Sequence, residues 1–242
     1  MHLGVERSDL RVAVLNGLRE VLPWVLALSV SSPFYESRDT GIASWRHAIL
    51  DRMPRMGICE PLANERAHWD HVSRLRATNC LSPDMNVWGD IRLHHRYPTI
   101  EVRILDVMPR LSRNWLVATL LQLEAQKLAE EASAGETLTP LPRELINENK
   151  WRVRRKGLEA QIVDWRSDRE MPVQDKLLAW LDSLQPYAKA QGLQRRLEGQ
   201  LLQALSEGDS STEQRAVYRG AGYRGVLERL AEQTLEQAGG LL

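Results

Sequence analysis

Two strand-like runs, NVWGDIRL (86–93) and TIEVRILDV (99–107), stand alone in a chain whose remainder reads as helix, and that isolation limits the possible folds more than any other feature. From residue 112 onward, NWLVATLLQLEAQKLAEEA, NENKWRVRRKGLE, VQDKLLAWLDSLQPYAKAQG, LQRRLEGQLLQALSEG and YRGVLERLAEQTLEQA all carry apolar residues at helical spacing. Upstream, LRVAVLNGLREVLPWVLALSV (10–30) is helical, with an N-cap expected at Ser8 or Asp9 and Pro23 as a kink or boundary. IASWRHAILDRM and ANERAHWDHVSRLRAT (63–78) have the same period, and SSPFYESRDTG (31–41) reads as a loop. MHLGV (1–5) reads as the tail of a third strand.

So few strands among so many helices indicate an α+β fold, in which helices cover one face of a partial antiparallel sheet. Residues 1–242 read as a single domain, with the linker-like SAGETLTPLP (133–142) as a sub-boundary. An incomplete sheet leaves an exposed edge, which homo-oligomerisation or a partner chain would cover.

The 32 basic and 32 acidic residues cancel, so no global field favours nucleic acid or an anionic membrane, and an anion site must be local. Cys59 and Cys80 have no zinc-type spacing, and two cysteines make no disulfide scaffold; a cytoplasmic location is expected. The apolar run VLPWVLALSV (21–30) is too short to cross a bilayer, and the first residues lack the pattern of a signal peptide.

Alternation along a strand puts Ile100, Val102 and Ile104 on one face and Glu101, Arg103 and Leu105 on the other. The same parity groups Val87, Ile91 and Leu93 against Trp88, Asp90 and Arg92. Opposed residues of an antiparallel pair share a face, so the expected register sets Arg92 against Glu101 and Asp90 against Arg103, with HHRYPT closing the hairpin. Such a face is either a solvated ion-pair ladder, each pair contributing roughly 0.2–1 kcal/mol, or the wall of a site. In a site, carboxylates would hold a divalent cation and arginines would grip phosphate or carboxylate. ATP with Mg²⁺ suits such a wall, and with no glycine-rich phosphate loop in the sequence the sheet itself would have to hold it.

Four stretches carry a resemblance to a known family: HLGV at the start, LPWVLALSVSSPFYESRDTGIASWR (22–46), WGDIRLHHRYPTIEVRILDV (88–107) and ENKWRVRRKGLEAQIVD (148–164). In this order they are similar to the glutamate-cysteine ligase type 2 family of carboxylate-amine ligases. The C-terminal EQRAVYRGAGYRGVLERLAEQT also fits. The resemblance implies a glutamine-synthetase/guanido-kinase-like ligase fold. It implies an ATP- and Mg²⁺-dependent enzyme that phosphorylates a glutamate-type carboxylate and lets a small amine attack the acyl phosphate.

Carried over by motif, Glu101 would ligate Mg²⁺ with His2, the second histidine of an H-x-H-x-G strand, and Arg103 would contact the transferred phosphate or the substrate carboxylate. Arg38 and Arg46, with Ser44, would bind the amino-acid carboxylate; the alternative is a helix-capping loop with Asp39 or Thr40 as cap. Arg92, Asn149 and Arg152 would face the nucleotide, Asn149, Arg152 and Lys156 forming one helical stripe. A solvated basic face is the alternative for that stripe.

Family members carry, upstream of these motifs, a strand with a GVEEE-like set of carboxylates, so the chain resembles the C-terminal two-thirds of a member. The resemblance therefore leaves three expectations: a ligase whose remaining strands come from other polypeptide, a non-catalytic ATP- or amino-acid-binding relative, or an interaction protein with an ion-paired hairpin.

Overall fold

A computed structural model describes residues 1–82, 87–136 and 139–238. Asn86 of the first strand run, and Thr137 and Leu138 of the linker-like segment, lie outside the described residues.

In chain order the elements are β1 (His2–Gly4), α1 (Ser8–Ser29), β2 (Phe34–Tyr35), β3 (Arg38–Asp39), α2 (Trp45–Leu50), α3 (Glu65–Ala77), β4 (Ile91–Leu93) and β5 (Thr99–Val102). There follow α4 (Leu111–Ser133), α5 (Arg143–Lys156), a 3₁₀ turn (Gly157–Glu159), β6 (Gln161–Asp164), β7 (Arg169–Pro172), α6 (Val173–Ala190), α7 (Gln194–Glu207) and α8 (Ser210–Ala238). The last helix is broken at Gly222, whose φ of 64° lies in the left-handed region open to glycine.

The sheet that matters is three-stranded, in the order β1-β5-β4, and antiparallel throughout. The expected pairing of Arg92 with Glu101 is present, and His2 takes the other side of Glu101. Ile91, Leu93, Ile100, Val102 and Ile104 are all buried against the helices, so the parity read from the sequence holds.

Helix α1 lies behind this sheet and packs most extensively on α4 and α5. It is apolar nearly all round, as a helix inside a core must be. The run 21–30 is therefore not an isolated short segment. It is the second half of a 22-residue helix that is long and apolar enough to cross a membrane, yet most of it is buried among the chain's own elements. Neither Ser8 nor Asp9 caps it; Arg7 holds the cap position without a side-chain cap, and Asp9 sits in the first turn, where its charge suits the helix dipole. Pro23 is contained within the helix. One contiguous core runs from Leu3 to Ala204 and so spans both sides of the linker-like segment.

Two small hairpins were not expected from the sequence. In the region read as a loop, Glu36 and Ser37 both take positive φ and turn β2 into β3, as a two-residue hairpin requires. Strands β6 and β7 are charged and short, and their alternation is masked by polar residues on both faces.

Candidate functional site

Glu101 is the centre of the charged sheet face. Its side chain is largely buried, with Oε1 accepting from Arg103 Nη1 at 2.7 Å and Oε2 from Arg92 Nε at 2.8 Å. Burial works to raise its pKa, but the two guanidiniums outweigh that and hold it below the usual carboxylate range. Arg103 also lies over the half-exposed Trp88 ring, 4.9 Å from its centroid, and Arg92 donates to the Val87 carbonyl at 3.2 Å. The result is an ionised carboxylate between two cations, each further restrained.

The register places Asp90 near Arg103, but only through the backbone. The Asp90 side chain turns inward, where its Oδ2 meets Lys150 Nζ at 2.7 Å and its Oδ1 lies 3.7 Å from His47 Nδ1. The expected Asp90–Arg103 ion pair is thus replaced by a Glu101–Arg103 pair between β5 and the residue just after it. Asp90 precedes the first paired residue of β4, so strand alternation does not govern it.

His2 sits at the rim, its Nε2 4.0 Å from Glu101 Oε2 and its Nδ1 3.0 Å from Thr99 Oγ1. Nε2 has a free lone pair in the tautomer in which Nδ1–H donates to Thr99 and carries the proton in the one in which the Thr99 hydroxyl donates. His94 is also close: ligand atoms of His2, His94 and Glu101 lie within 4.8 Å of one another. Its Nδ1, however, accepts the N–H groups of Arg96 and Tyr97 at 3.2 and 3.1 Å, which puts its proton on Nε2 and makes it an ill-suited ligand. The His94 pKa is lowered by burial and by neighbouring His95 and His2. Glu101 and His2 bring one carboxylate and one imidazole to this rim; both carboxylate oxygens already accept from arginines, and Mg²⁺, which takes oxygen ligands, would need further oxygens.

The remaining predicted residues divide. Arg38 is exposed on the β2–β3 hairpin, which touches α2 through Tyr35 and Trp45, ring centroids 5.8 Å apart. Arg46 comes from the first turn of α2 and donates Nη2–H to the Arg103 carbonyl at 3.1 Å. Ser44 is fully buried and its hydroxyl donates to Asp106 at 2.9 Å, so it anchors a loop rather than meeting a ligand. Neither Asp39 nor Thr40 caps α2: Asp39 accepts from Gly41 and Arg215, and Thr40 donates to the Pro33 carbonyl.

Asn149 is likewise spent, donating to Val163 O at 2.7 Å and accepting from Val163 N at 2.8 Å. Arg152 pairs with Glu148 and Glu170 at 2.9 and 2.5 Å. The expected stripe of Asn149, Arg152 and Lys156 is therefore not one nucleotide-facing surface. A cavity of about 850 Å³ between α1, α4 and α6 is lined by Asn149, Trp24 and Trp180, but by none of His2, Arg92, Glu101 and Arg103. The charged sheet face is separate from it.

Asp106, His47, Asp51 and Lys150 were not singled out from the sequence. Asp106 continues the buried parity of Ile100, Val102 and Ile104, and Lys150 lies on the buried stripe Ile146, Asn149, Val153. A charge at an apolar position of either pattern demands a partner, and that was the available signal.

The sequence model described as "Glutamate-cysteine ligase family 2(GCS2)" matches residues 1–233. The chain belongs to this family. Among similar proteins is one of Sorangium cellulosum named "Putative glutamate--cysteine ligase 2", 36% identical over 236 residues, covering 97% of this chain and 62% of that protein. A protein of the same name from Rhodospirillum rubrum is 34% identical over 194 residues, covering 80% of this chain and 50% of that one. The chain thus spans half to just under two-thirds of the length of these family relatives. A crystal structure of glutamate-cysteine ligase from Francisella tularensis, in complex with AMP, superimposes with a TM-score of 0.56 at 14% identity, over 97% of this chain and 63% of that one. The expected ligase fold is thereby shown.

Proposed function

We propose that this chain carries the phosphate-facing half of an ATP-dependent carboxylate-amine ligase. The observation that carries the reading is the Arg92–Glu101–Arg103 cluster, with His2 beside it, on the sheet face of a chain belonging to this ligase family.

In the reaction, an oxygen of a glutamate-type carboxylate attacks the γ-phosphorus of ATP, the bond to the bridging oxygen breaks, and ADP leaves. The amine nitrogen then attacks the acyl carbon, inorganic phosphate departs with the electron pair of the C–O bond, and the nitrogen loses a proton to solvent. Arg103 binds the transferred phosphoryl oxygens; its side chain is already held at the guanidinium by Glu101 and over Trp88, so little ordering entropy remains to be lost. Arg92 binds a neighbouring phosphate, and Arg152 the nucleotide from the side of α5. Arg38 takes the α-carboxylate of the amino acid. Glu101 and His2 would be the residues of this chain to hold Mg²⁺, which when bound would offset phosphate charge. The further oxygen ligands it needs would come from outside this pair. Ser44 and Asn149 are given no ligand role in this reading, because the Ser44 hydroxyl is spent on Asp106 and the Asn149 amide on the Val163 backbone.

A second reading, a nucleotide-binding relative that does not turn over, is favoured by one observation: both oxygens of Glu101 are already occupied by arginine donors. ADP release measured with ATP, Mg²⁺, glutamate and a panel of amines separates the two. Turnover lost in Glu101→Ala and Arg103→Ala supports the ligase. Nucleotide binding without ADP release, with the chain alone or with a candidate partner polypeptide, supports the second reading. Full activity in either variant removes the site assignment.

A further inference from the structure

Every backbone polar group of Arg103 and Ile104 is committed. Both N–H groups donate to the Asp90 carbonyl, at 2.7 and 3.1 Å. The Arg103 carbonyl accepts from Arg46 Nη2 at 3.1 Å, and the Ile104 carbonyl from His47 Nε2 at 2.5 Å. Two elements thus grip one dipeptide from opposite sides.

The grip is itself fixed by buried charge. Asp90 donates its own N–H to the Gly57 carbonyl at 2.9 Å, and its carboxylate meets the Lys150 ammonium. Lys150 also reaches Asp51 at 2.6 Å, and Asp51 takes Arg154 at 2.8 Å. His47, Asp90 and Lys150 are all essentially inaccessible to solvent, so none of them can meet a ligand on the sheet face.

An ion pair in such a place is a poor way to stabilise a fold, since well-packed apolar residues often do as well without desolvating two charges. What it does provide is a single allowed geometry. Lys150 ties α5 to Asp90, and Asp90 ties that link to the backbone from which Arg103 projects.

We propose that Lys150 and Asp90 are positioning residues for Arg103. Through the Asp90 carbonyl they set where the Arg103 side chain leaves the strand, and with Glu101 and Trp88 holding its far end they fix the guanidinium for phosphate. This rests on the reading of Arg103 as a phosphate contact. Arg46 and His47 serve the same end from α2: each reaches a backbone carbonyl of the dipeptide, and their side chains also meet, Arg46 Nη1 lying 3.1 Å from His47 Nε2.

Site-resolved amide hydrogen exchange, combined with ATP affinity in the presence of Mg²⁺, tests the assignment without requiring turnover. Lys150→Met keeps the length of the side chain and removes its charge. It is expected to speed exchange at Arg103 and Ile104 at least tenfold while core amides such as Leu22 and Leu120 stay protected. ATP affinity is expected to fall about tenfold, towards that of Arg103→Ala, and Lys150→Arg is expected to recover most of both. A uniform loss of protection across the core would show that Lys150 serves only global stability and would overturn the proposal. So would unchanged exchange and affinity in Lys150→Met. If Lys150→Met does not fold, Asp51→Asn, at the more exposed end of the same network, is read by the same criteria. An Arg103→Ala variant with undiminished ATP affinity would remove the phosphate reading, while the exchange data would still decide whether Lys150 fixes the strand.

Discussion

Ser44 and Asp106 are joined by a buried 2.9 Å hydrogen bond that ties the start of α2 to the segment following β5. The other oxygen of Asp106 accepts from Ser31 N at 2.9 Å and Ser32 Oγ at 2.8 Å. One carboxylate thereby holds both ends of the 31–44 loop, and with it the helix that carries Arg46 and His47. Asp106→Asn puts an amide N–H₂ where only acceptors are wanted. Unfolding by urea is expected to show a loss of about 1–3 kcal/mol, the range for a buried donor left without a partner. A loss below about 0.5 kcal/mol would mean that the loop does not depend on this carboxylate.

Glu101→Ala leaves the guanidiniums of Arg92 and Arg103 side by side without their shared anion. Both reach solvent in part, so the penalty is discounted from that of a fully buried pair to about 1–3 kcal/mol. Added salt screens like charges that water can reach. The deficit relative to the parent chain should therefore shrink between low and high ionic strength in a denaturation series. A deficit independent of salt would point to lost packing instead.

The sequence carried the sheet face well, because period-two alternation survives in TIEVRILDV and the Arg92–Glu101 register follows from it. It also carried the helices from 112 onward, whose apolar stripes are long. What it could not carry is where polar side chains spend their hydrogen bonds. Asn149 and Lys150 are adjacent on one buried stripe, yet Asn149 serves a backbone pair on β6 whereas Lys150 reaches a residue of the distant Asp90 segment. Propensity has no term for such a choice; tertiary packing makes it. Ser44, which the resemblance makes a substrate residue, spends its hydroxyl on Asp106 for the same reason, a choice made by a later segment of the chain.

Asn149 and Arg152 therefore separate in experiment. Asn149→Ala strands both the carbonyl and the N–H of Val163 and should cost about 1–3 kcal/mol in thermal or urea unfolding. Arg152→Ala removes ion pairs to partly exposed Glu148 and Glu170, and its stability effect should stay within about 1 kcal/mol. Its effect on nucleotide affinity is the more informative readout. Loss of affinity without loss of stability supports a nucleotide contact, and no loss of either assigns Arg152 to a solvated face.

His47 makes stability pH-dependent at a higher pH than the carboxylates do. Its Nε2 lies 2.5 Å from the Ile104 carbonyl, which can only accept, and 3.1 Å from Arg46 Nη1, which can only donate; the shorter contact assigns the proton to Nε2, and Nδ1 is buried and receives no hydrogen bond. A second proton on Nδ1 would gain Asp90 at 3.7 Å, but Lys150 already compensates that carboxylate at 2.7 Å. Burial, reinforced by the Lys150 charge, accordingly lowers the His47 pKa from 6.5 to about 4. Between these values the unfolded chain takes up a proton that the folded chain refuses. The stabilising contribution is complete above pH 6.5 and is lost as the pH falls towards 4, at a slope of up to about 1.4 kcal/mol per unit. His68 and His94 are lowered too and act in the same direction, so the informative quantity is a difference. His47→Gln retains an N–H for the Ile104 carbonyl and cannot titrate. Urea midpoints measured from pH 7 to 5 should fall less steeply for this variant than for the parent, and parallel slopes would show that His47 is protonated in the folded protein.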